Sequence, residues 1–273
     1  MGLTKKKRFD KIVTDIKKIK IQGASNIAKA ALEAYHLFPT SKTRKILLKT
    51  RPTEPMMRKV LEMAEKHPHS EILRHFNQAQ EKINKFVFKL IKKNDVIFTH
   101  CHSTNVSKAL IYTHKHRKHF EVYVTETRPL YQGRLTAKEL KKAGIKIMMF
   151  VDSSMAMAIG KENKKDKIHA NKVFLGADAL LKFGIINKVG SEPIARIARE
   201  EKIPFYIVAD SWKFTKKKVP IEQRNLNEVW DKAPRNIKIR NPAFEFVHKK
   251  YITGIITELG LMTYNKFLRR MNK

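Results

Sequence analysis

Side chains capable of acid–base chemistry stand directly after two short apolar runs of the chain. Val96-Ile97-Phe98 is followed by Thr99-His100-Cys101-His102-Ser103, and Val173-Phe174-Leu175 is followed by Gly176-Ala177-Asp178. A thiol between two imidazoles can react as a thiolate when a neighbouring base favours that form, and a carboxyl group can give or take a proton. The structural alternatives are a small buried cysteine and an aspartate that caps a turn. Cys101 and Asp178 are therefore candidates for acid–base chemistry.

Other polar loops follow the remaining apolar runs. They are Thr125-Glu126-Thr127-Arg128-Pro129 after residues 122–124, Asp152-Ser153 after residues 145–151, and Asn187-Lys188-Val189-Gly190-Ser191 before a helix. In an open parallel sheet, ligands sit beyond the carboxyl ends of the strands, so these loops should surround one site. The loop at 187–191 offers backbone N–H groups and a lysine to an anion. Two histidines beside Cys101 could bind zinc, but no second Cys/His cluster has the usual spacing, and we expect no metal.

The elements that must position these residues change in kind near residue 93. Residues 1–92 indicate four helices: an apolar face of Phe9, Ile12, Ile16 and Ile19, a helix capped by Ser25, a helix begun by Thr53-Glu54-Pro55, and a helix over 70–92. After Asp95, short apolar runs alternate with helical stretches, which is typical of a doubly wound parallel sheet. An irregular connection is predicted over 213–242 and a final strand over 251–256. The prediction is an α/β protein with an N-terminal helical domain at 1–92 and a second domain at 93–273.

The charge balance is strongly basic. The chain has 273 residues, with 58 Lys or Arg against 25 Asp or Glu and a formal net charge of +33. The basic runs, such as residues 161–167, are spread along the chain without a recognised motif, so we expect nonspecific contact with nucleic acid and no specific nucleic-acid function. No apolar run reaches the roughly 18 to 20 residues of a membrane helix, and the basic N-terminus lacks the apolar core of a secretory signal. A single cysteine favours a reducing, cytoplasmic setting.

Together, these motifs resemble one protein family. The strings that carry the resemblance are Thr99-His100-Cys101-His102-Ser103, Thr125-Glu126-Thr127-Arg128-Pro129, Gln132-Gly133-Arg134-Leu135-Thr136-Ala137, Gly176-Ala177-Asp178 and Asn187-Lys188, with Gly23-Ala24-Ser25, Arg51-Pro52-Thr53 and Asn241-Pro242-Ala243-Phe244. The family contains archaeal ribose-1,5-bisphosphate isomerases, methylthioribose-1-phosphate isomerases and the regulatory subunits of translation initiation factor 2B. The His-Cys-His-Ser string and the single Arg134 between Gly133 and Leu135 look most like the first group.

The resemblance implies a helical N-terminal domain on a Rossmann-like C-terminal domain, assembled as a homo-oligomer (dimer or hexamer). It implies an aldose–ketose isomerase without a cofactor, which converts ribose 1,5-bisphosphate to ribulose 1,5-bisphosphate in nucleoside monophosphate (AMP) salvage, with a nucleoside monophosphate as candidate activator. Cys101, as a thiolate, would take the proton from C2, and Asp178 would donate protons at the sugar oxygens. By the same resemblance, the substrate would be held by Gln22, Gly23, Ala24, Ser25, Arg51, His102, Ser103, Arg128, Asn187, Lys188 and Lys213.

The chain departs from the resembled pattern at three positions. Gln22 stands where the isomerases carry an arginine, Thr104 where a lysine is expected, and Phe183 where the family tends to have asparagine. Two lost cations would weaken bisphosphate binding by a few kcal/mol, at about 1.5 to 3 kcal/mol per charged hydrogen bond. Two alternatives therefore stay open: a non-catalytic subunit related to translation initiation factor 2B that senses nucleotides or sugar phosphates, and a methylthioribose-1-phosphate-type isomerase.

Overall fold

Helices fill the chain as far as residue 90, and strands alternate with helices after residue 95. The structure is a computed structural model that describes residues 4–160 and 169–272. Its helices are α1 (Lys5–Lys17), α2 (Ala24–Leu37), α3 (Ser41–Thr50), α4 (Pro55–Met63), α5 (His69–Leu90), α6 (Thr104–Lys115), α7 (Gln132–Lys142), α8 (Met155–Ile159), α9 (Ser191–Glu200) and α10 (Tyr264–Met271). Its strands are β1 (Val96–Thr99), β2 (Glu121–Thr125), β3 (Lys146–Phe150), β4 (Lys172–Leu175), β5 (Ala179–Leu181), β6 (Gly184–Lys188), β7 (Phe205–Val208), β8 (Phe244–His248), β9 (Gly254–Thr257) and β10 (Gly260–Met262).

The main sheet has the strand order β10-β9-β7-β4-β1-β2-β3. All its neighbours pair in parallel except β10, which is antiparallel to β9. The chain moves outward from β1 through β2 to β3 and then returns to β4 on the other side of β1. This reversal creates a crevice between the carboxyl ends of β1 and β4, which is where doubly wound sheets bind ligands. The predicted α/β class with a doubly wound parallel sheet is confirmed.

A second, smaller sheet was not predicted from the sequence. Its strands β5, β6 and β8 are antiparallel, in the order β5-β6-β8. Asn187 and Lys188, which were expected in a loop, are the last two residues of β6, and α9 begins at Ser191. The small sheet therefore holds these two side chains on a rigid element.

The apolar cores connect the helical region to the sheet. The first four helices share a core that includes Ile16, Ile27, Leu47 and Leu61. The end of α5 packs instead into the core beneath the sheet, where Ile83 and Val87 join residues of β1, β2 and α6. Removing such side chains from water is the main favourable term in folding. The division at residues 92 and 93 stays a prediction, and the helix before it packs with the elements after it.

Several local predictions need correction. Ser25 does not cap α2, because the helix begins at Ala24 after Gly23, and the Ser25 hydroxyl contacts the Met56 sulfur at 3.7 Å. Helix α3 was not predicted, because it lies in a Lys-rich stretch that gave no apolar pattern, so residues 5–90 form five helices and not four. The final predicted strand begins only at Gly254, because Lys249–Tyr251 form a 3-10 turn.

One further local prediction is confirmed, and another falls on residues that the structure does not describe. The irregular connection is confirmed, with one short 3-10 turn (Leu226–Glu228) between β7 and β8 after the turn at Ser211–Lys213. The basic run at 161–167 lies outside the described residues. Within the described ranges, no helix is both long and apolar enough to cross a membrane.

Candidate active site

A cavity of about 480 Å³ opens at the crevice between β1 and β4. Every predicted site residue except Arg128 lines it: Gln22, Gly23, Ala24, Ser25, Arg51, Cys101, His102, Ser103, Asp178, Asn187, Lys188 and Lys213. The N-terminus of α2 forms one wall, and the ends of β1, β4 and β6 form another. Arg128 is exposed outside this lining, where its guanidinium donates to the Tyr131 hydroxyl and to the Val229 carbonyl. The structure thus does not bring Arg128 to the cavity.

Cys101 lies directly after β1 in a strained backbone conformation. Its φ is +65°, in the left-handed region that non-glycine residues seldom adopt. Two threonines fix it there, because the Cys101 N–H donates to Thr127 Oγ1 at 2.9 Å and the Thr136 hydroxyl donates to the Cys101 carbonyl at 2.8 Å. Such outliers cluster at functional sites. Thr127 lies in the loop after β2 and Thr136 in α7; both belong to sequence strings that the sequence analysis singled out, but neither was named as a site residue.

The charge state of Cys101 differs from the prediction. Burial raises the pKa of the thiol to about 11, although the nearby Lys188 ammonium acts in the opposite direction. Desolvation disfavours a charged thiolate. The surroundings therefore favour a neutral thiol at neutral pH in this structure over the thiolate that the resemblance implies, and the catalytic role of Cys101 stays a prediction.

Asp178 stands at the start of the small sheet, beside two lysines. Its N–H donates to the Ile186 carbonyl at 2.9 Å, which anchors it to β6. Burial raises the pKa of the Asp178 carboxyl, while Lys213, Lys188 and Arg51 oppose that rise. The Lys213 ammonium itself donates to the Ala177 carbonyl at 2.6 Å. Lys213 therefore fixes the backbone beside Asp178 as well as lining the cavity.

His100 holds the turn that follows Lys188 at the end of β6. Its Nε2 lies 2.8 Å from the Val189 carbonyl, and its Nδ1 bonds the Thr125 hydroxyl. Burial lowers the pKa of His100, so the ring is neutral, with Nε2–H as the donor to Val189. A Cβ on Gly190, whose φ is +103°, would lie 2.9 Å from His100 Nε2. The contact therefore depends on a glycine, and sequence reasoning missed the role of His100 because its partner is 89 residues away.

The predicted anion site at the start of α9 is filled by the chain itself. The Glu192 N–H donates to the Glu245 carboxylate at 2.7 Å, and Gly190 and Ser191 add backbone hydrogen bonds to it. A carboxylate at a helix N-terminus is stabilised by the unpaired N–H groups there. The expectation that these N–H groups bind an external anion is therefore wrong, since Glu245 on β8 occupies them.

Arg51 is held by carboxylates. Its Nη2 lies 2.9 Å from Glu222 Oε2 and 3.5 Å from Glu54 Oε1. Arg224, which also lines the cavity, pairs with Glu228 and lies 3.7 Å from Glu222. Sequence reasoning missed Glu54 and Glu222, because nothing in the local pattern around residue 222 indicates a partner 171 residues away.

Metal-type ligands also meet outside this cavity. One nitrogen of His75 and one carboxylate oxygen each of Asp210 and Glu258 lie within 4.8 Å of one another. Each group already has a structural partner: Asp210 accepts from the Trp212 N–H and contacts His75, and Glu258 accepts from Ser211. These bonds tie α5 to the ends of β7 and β9, and we assign no metal there.

Comparison with known proteins agrees with the motifs that line the cavity. The sequence profile of the Initiation factor 2 subunit family matches residues 67–264. The chain belongs to this family. It is 34% identical to the ribose 1,5-bisphosphate isomerase of Methanocaldococcus jannaschii, over 90% of this chain and 89% of that protein. It is 30% identical to the methylthioribose-1-phosphate isomerase of Thermosipho melanesiensis, over 97% of this chain and 90% of that protein.

Solved structures of the family share this fold. The translation initiation factor eIF-2B of Pyrococcus horikoshii OT3 superposes with a TM-score of 0.80 at 29% identity, over 94% of this chain and 97% of that one. Since several of its relatives are named isomerases, the prediction that the chain is an enzyme is confirmed.

Proposed function

We propose that this protein is a sugar-phosphate isomerase that converts ribose 1,5-bisphosphate to ribulose 1,5-bisphosphate. The observation that carries the proposal is that Cys101 and Asp178, which follow neighbouring strands, line one cavity together with Lys188. The relatives named ribose 1,5-bisphosphate isomerase, at 31 to 34% identity, support the choice of substrate. A role in AMP salvage is part of the same proposal.

The reaction needs one group for protons on carbon and one for protons on oxygen. Asp178 gives a proton to O4 as the C1–O4 ring bond breaks, and the bonding pair stays on O4. Cys101 takes the proton from C2, and the electron pair of that bond forms the C1–C2 double bond of an enol. Cys101 then returns the proton to C1, while Asp178 takes the O2 proton to leave the C2 ketone. Each group ends in its starting state, and general acid–base catalysis of this kind is worth about 10² to 10⁴ in rate.

The reaction needs a proton arrangement that differs from the one the raised pKa of Cys101 indicates. Cys101 is a thiol, yet a base is needed at C2, and Asp178 must hold a proton for O4. Moving one proton from the Cys101 sulfur to the Asp178 carboxylate creates both working forms at once. The raised pKa of Asp178 favours this transfer, whereas the raised pKa of the Cys101 thiol, about 11, opposes it.

The phosphate groups of the substrate have two suitable partners. Lys188 is buried, its ammonium forms no salt bridge among the described residues, and it faces the Phe244 ring at 5.3 Å. The start of α2, at Gly23 and Ala24, has no side-chain cap in the described chain, so its N–H groups can bind an anion. Both features line the cavity.

The proposal is tested by incubating the purified protein with ribose 1,5-bisphosphate and measuring ribulose 1,5-bisphosphate. Methylthioribose 1-phosphate serves as the comparison substrate, and each assay is run with and without a nucleoside monophosphate. We expect turnover of the bisphosphate and at least about tenfold lower kcat/KM for the methylthio sugar, since one missing anionic contact costs about 1.5 to 3 kcal/mol. Faster turnover of the methylthio sugar would reassign the substrate.

A second candidate is a sensing subunit without catalysis. Gln22 and Thr104 are uncharged cavity residues, and Arg51 already faces Glu222 and Glu54, so three expected phosphate cations are missing or engaged. The likeness to the P. horikoshii initiation factor fits this alternative. Binding of a nucleoside monophosphate in calorimetry, with no turnover of either sugar phosphate, would favour it over the isomerase.

The edge strand β3 suits a homo-oligomer. Met148 and Met149 on β3 are exposed by 38% and 41%, and Val151 directly after it by 53%; an apolar edge strand is a typical contact surface. We expect the Met148→Lys/Met149→Lys double variant to be a monomer in light scattering, where the wild type is a dimer or larger. Leu261→Lys, at 41% exposure on the opposite edge strand β10, is the matched control and should leave the oligomer intact. A monomeric wild type, or dissociation by the control alone, would contradict this interface.

A further inference from the structure

Glu54 is a buried carboxyl group in the wall of the cavity that the proposed mechanism has not used. It precedes Pro55 at the start of α4, its side chain is only 2% exposed, and it lines the cavity. It does not cap the helix, since no side-chain cap of α4 occurs in the described chain. Its contact with Arg51, at 3.5 Å, is longer than that of Glu222. Neither helix capping nor a short ion pair therefore accounts for a carboxyl group at this position.

The charges around Glu54 balance without it. Four charged side chains act on Glu54. They are Arg51 at the end of α3, Lys213 in the turn after β7, Asp178 after β4, and Glu222 in the irregular connection. While Asp178 is ionised, before the proton moves to it from Cys101, the two cations offset the two carboxylates, so an ionised Glu54 would add an uncompensated negative charge in a buried place. Burial, together with Asp178, accordingly raises the pKa of Glu54 to about 8. At neutral pH Glu54 is a neutral acid with a proton to donate.

Hydrogen-bonding capacity is left over at this place. Three buried side-chain atoms have no hydrogen-bond partner among the described residues: Arg51 Nε, Thr53 Oγ1 and Glu54 Oε2. An unsatisfied buried polar atom costs about 1 to 3 kcal/mol, so native structures keep such atoms for a reason. Three such atoms within four consecutive residues, two of them on cavity-lining side chains, indicate a place where a ligand atom completes the bonding.

We propose that Glu54 is a further catalytic residue, a neutral carboxylic acid that donates a hydrogen bond to O2 of the sugar phosphate. This inference rests on the proposed isomerase function. O2 becomes negatively charged when its proton leaves the enol, and a donor aimed at a developing oxyanion stabilises it most where water is excluded. A carboxyl group kept neutral by its surroundings can serve as such a donor. Glu54 keeps its proton throughout, so the proton balance between Cys101 and Asp178 is unchanged.

The activity test compares Glu54→Ala, which removes the donor, with Glu54→Gln, which keeps a neutral donor. Loss of one oxyanion donor costs about 10² to 10³ in kcat, so Glu54→Ala should lose about 100-fold in kcat with a smaller change in KM. Glu54→Gln should retain more than about a tenth of the activity at pH 7. Glu121→Gln is the matched control, because Glu121 begins β2 at the end of the strand away from the cavity, is 41% exposed and does not line the cavity. The control should stay within about threefold of the wild type.

The pH profile separates catalysis from a structural role. Above pH 8 the wild type loses the Glu54 proton, but glutamine cannot ionise. The ratio of Glu54→Gln to wild-type activity should therefore rise about tenfold for each pH unit above 8, whatever other groups titrate in both proteins. A ratio that stays constant with pH, or a Glu54→Ala variant with full kcat, would overturn the inference while an active wild type keeps the isomerase proposal intact.

A stability measurement tests the neutral acid even if the wild type is inactive. The unfolded chain releases the Glu54 proton near the ordinary value of 4.5, whereas the folded chain holds it until about 8. Between these values the folded state binds the extra proton, so the contribution of Glu54 to wild-type stability falls as pH rises. Urea unfolding should show Glu54→Gln gaining on the wild type from pH 5 to pH 9, and Glu121→Gln is the control for this comparison. Parallel pH curves would overturn the inference, and an inactive wild type would overturn the isomerase proposal on which it rests.

Discussion

Replacing Cys101 by serine should lower the rate of isomerisation about 1000-fold. A hydroxyl group has nearly the same size as a thiol but is a much weaker acid, so it cannot become the base that takes the C2 proton. The expected loss lies within the 10² to 10⁴ that general acid–base catalysis contributes. Asp178→Asn should have an effect of the same order, because an amide can neither protonate O4 nor accept the O2 proton. The measurement is kcat/KM on ribose 1,5-bisphosphate for both variants.

Arg128→Ala is the matched control for these two substitutions. Arg128 lies in the loop after β2 but outside the cavity lining, with its guanidinium bound to Tyr131 and Val229. We expect it to keep kcat/KM within about threefold of the wild type, as surface substitutions usually do. If Cys101→Ser retained wild-type activity with unchanged circular dichroism, the base would have to be sought elsewhere in the cavity. If Arg128→Ala lost as much as Cys101→Ser, the loop after β2 would reach the substrate in a closed form of the site.

The position of the site could be predicted from the sequence because it depends on a rule of topology. Cys101 and Asp178 are 77 positions apart in the chain, yet each follows an apolar run directly. Once strand and helix alternate, carboxyl ends of parallel strands share one edge of the sheet. The pairing of β1 with β4 then brings the two residues to one crevice. Local patterns were sufficient here, since the fold class alone determines which ends meet.

The chemistry of the cavity wall could not be predicted in the same way. The ion pair between Arg51 and Glu222 joins the end of α3 to an irregular segment, and no local pattern specifies such a contact. The N–H groups at the start of α9 were correctly identified as an anion site, but the anion is Glu245 from a strand of the unpredicted small sheet. Charge states also depend on packing: only the folded structure shows that burial makes Cys101 a thiol.

Because of these contacts, the basic composition of the chain does not make the cavity rich in free cations. A net charge of +33 suggests a cavity rich in cations, but carboxylates partner Arg51 and Arg224, and Lys213 donates to a carbonyl. Lys188 is the cavity lysine without such a partner in the described ranges. The excess positive charge therefore lies mostly on the surface. Nonspecific contact with nucleic acid and a cytoplasmic setting both stay predictions. The proposed chemistry of the cavity therefore depends more on hydrogen bonds and neutral acids than on net charge.

Gly133→Ala should destabilise the fold by more than about 3 kcal/mol, the upper end of ordinary overpacking. Gly133 lies in the first turn of α7, and a Cβ there would sit 1.8 Å from the Thr125 carbonyl oxygen. The obstacle is backbone of β2 and the loop after it, so no side-chain rotation can relieve it. Because Thr127 in that loop bonds the Cys101 N–H at 2.9 Å, any shift that accommodates the methyl group also moves the thiol.

Urea unfolding measures this effect, with Gly254→Ala as the matched control. A Cβ on Gly254, in β9, would meet only side-chain atoms of Tyr206 and Leu261, at 3.2 to 3.3 Å, and these ends can move. The control should change the free energy of unfolding by less than about 1 kcal/mol. Equal stabilities of the two variants would mean that α7 can move away from β2 at little cost. The close approach at Gly133 would then not be what holds the Thr127 loop against Cys101.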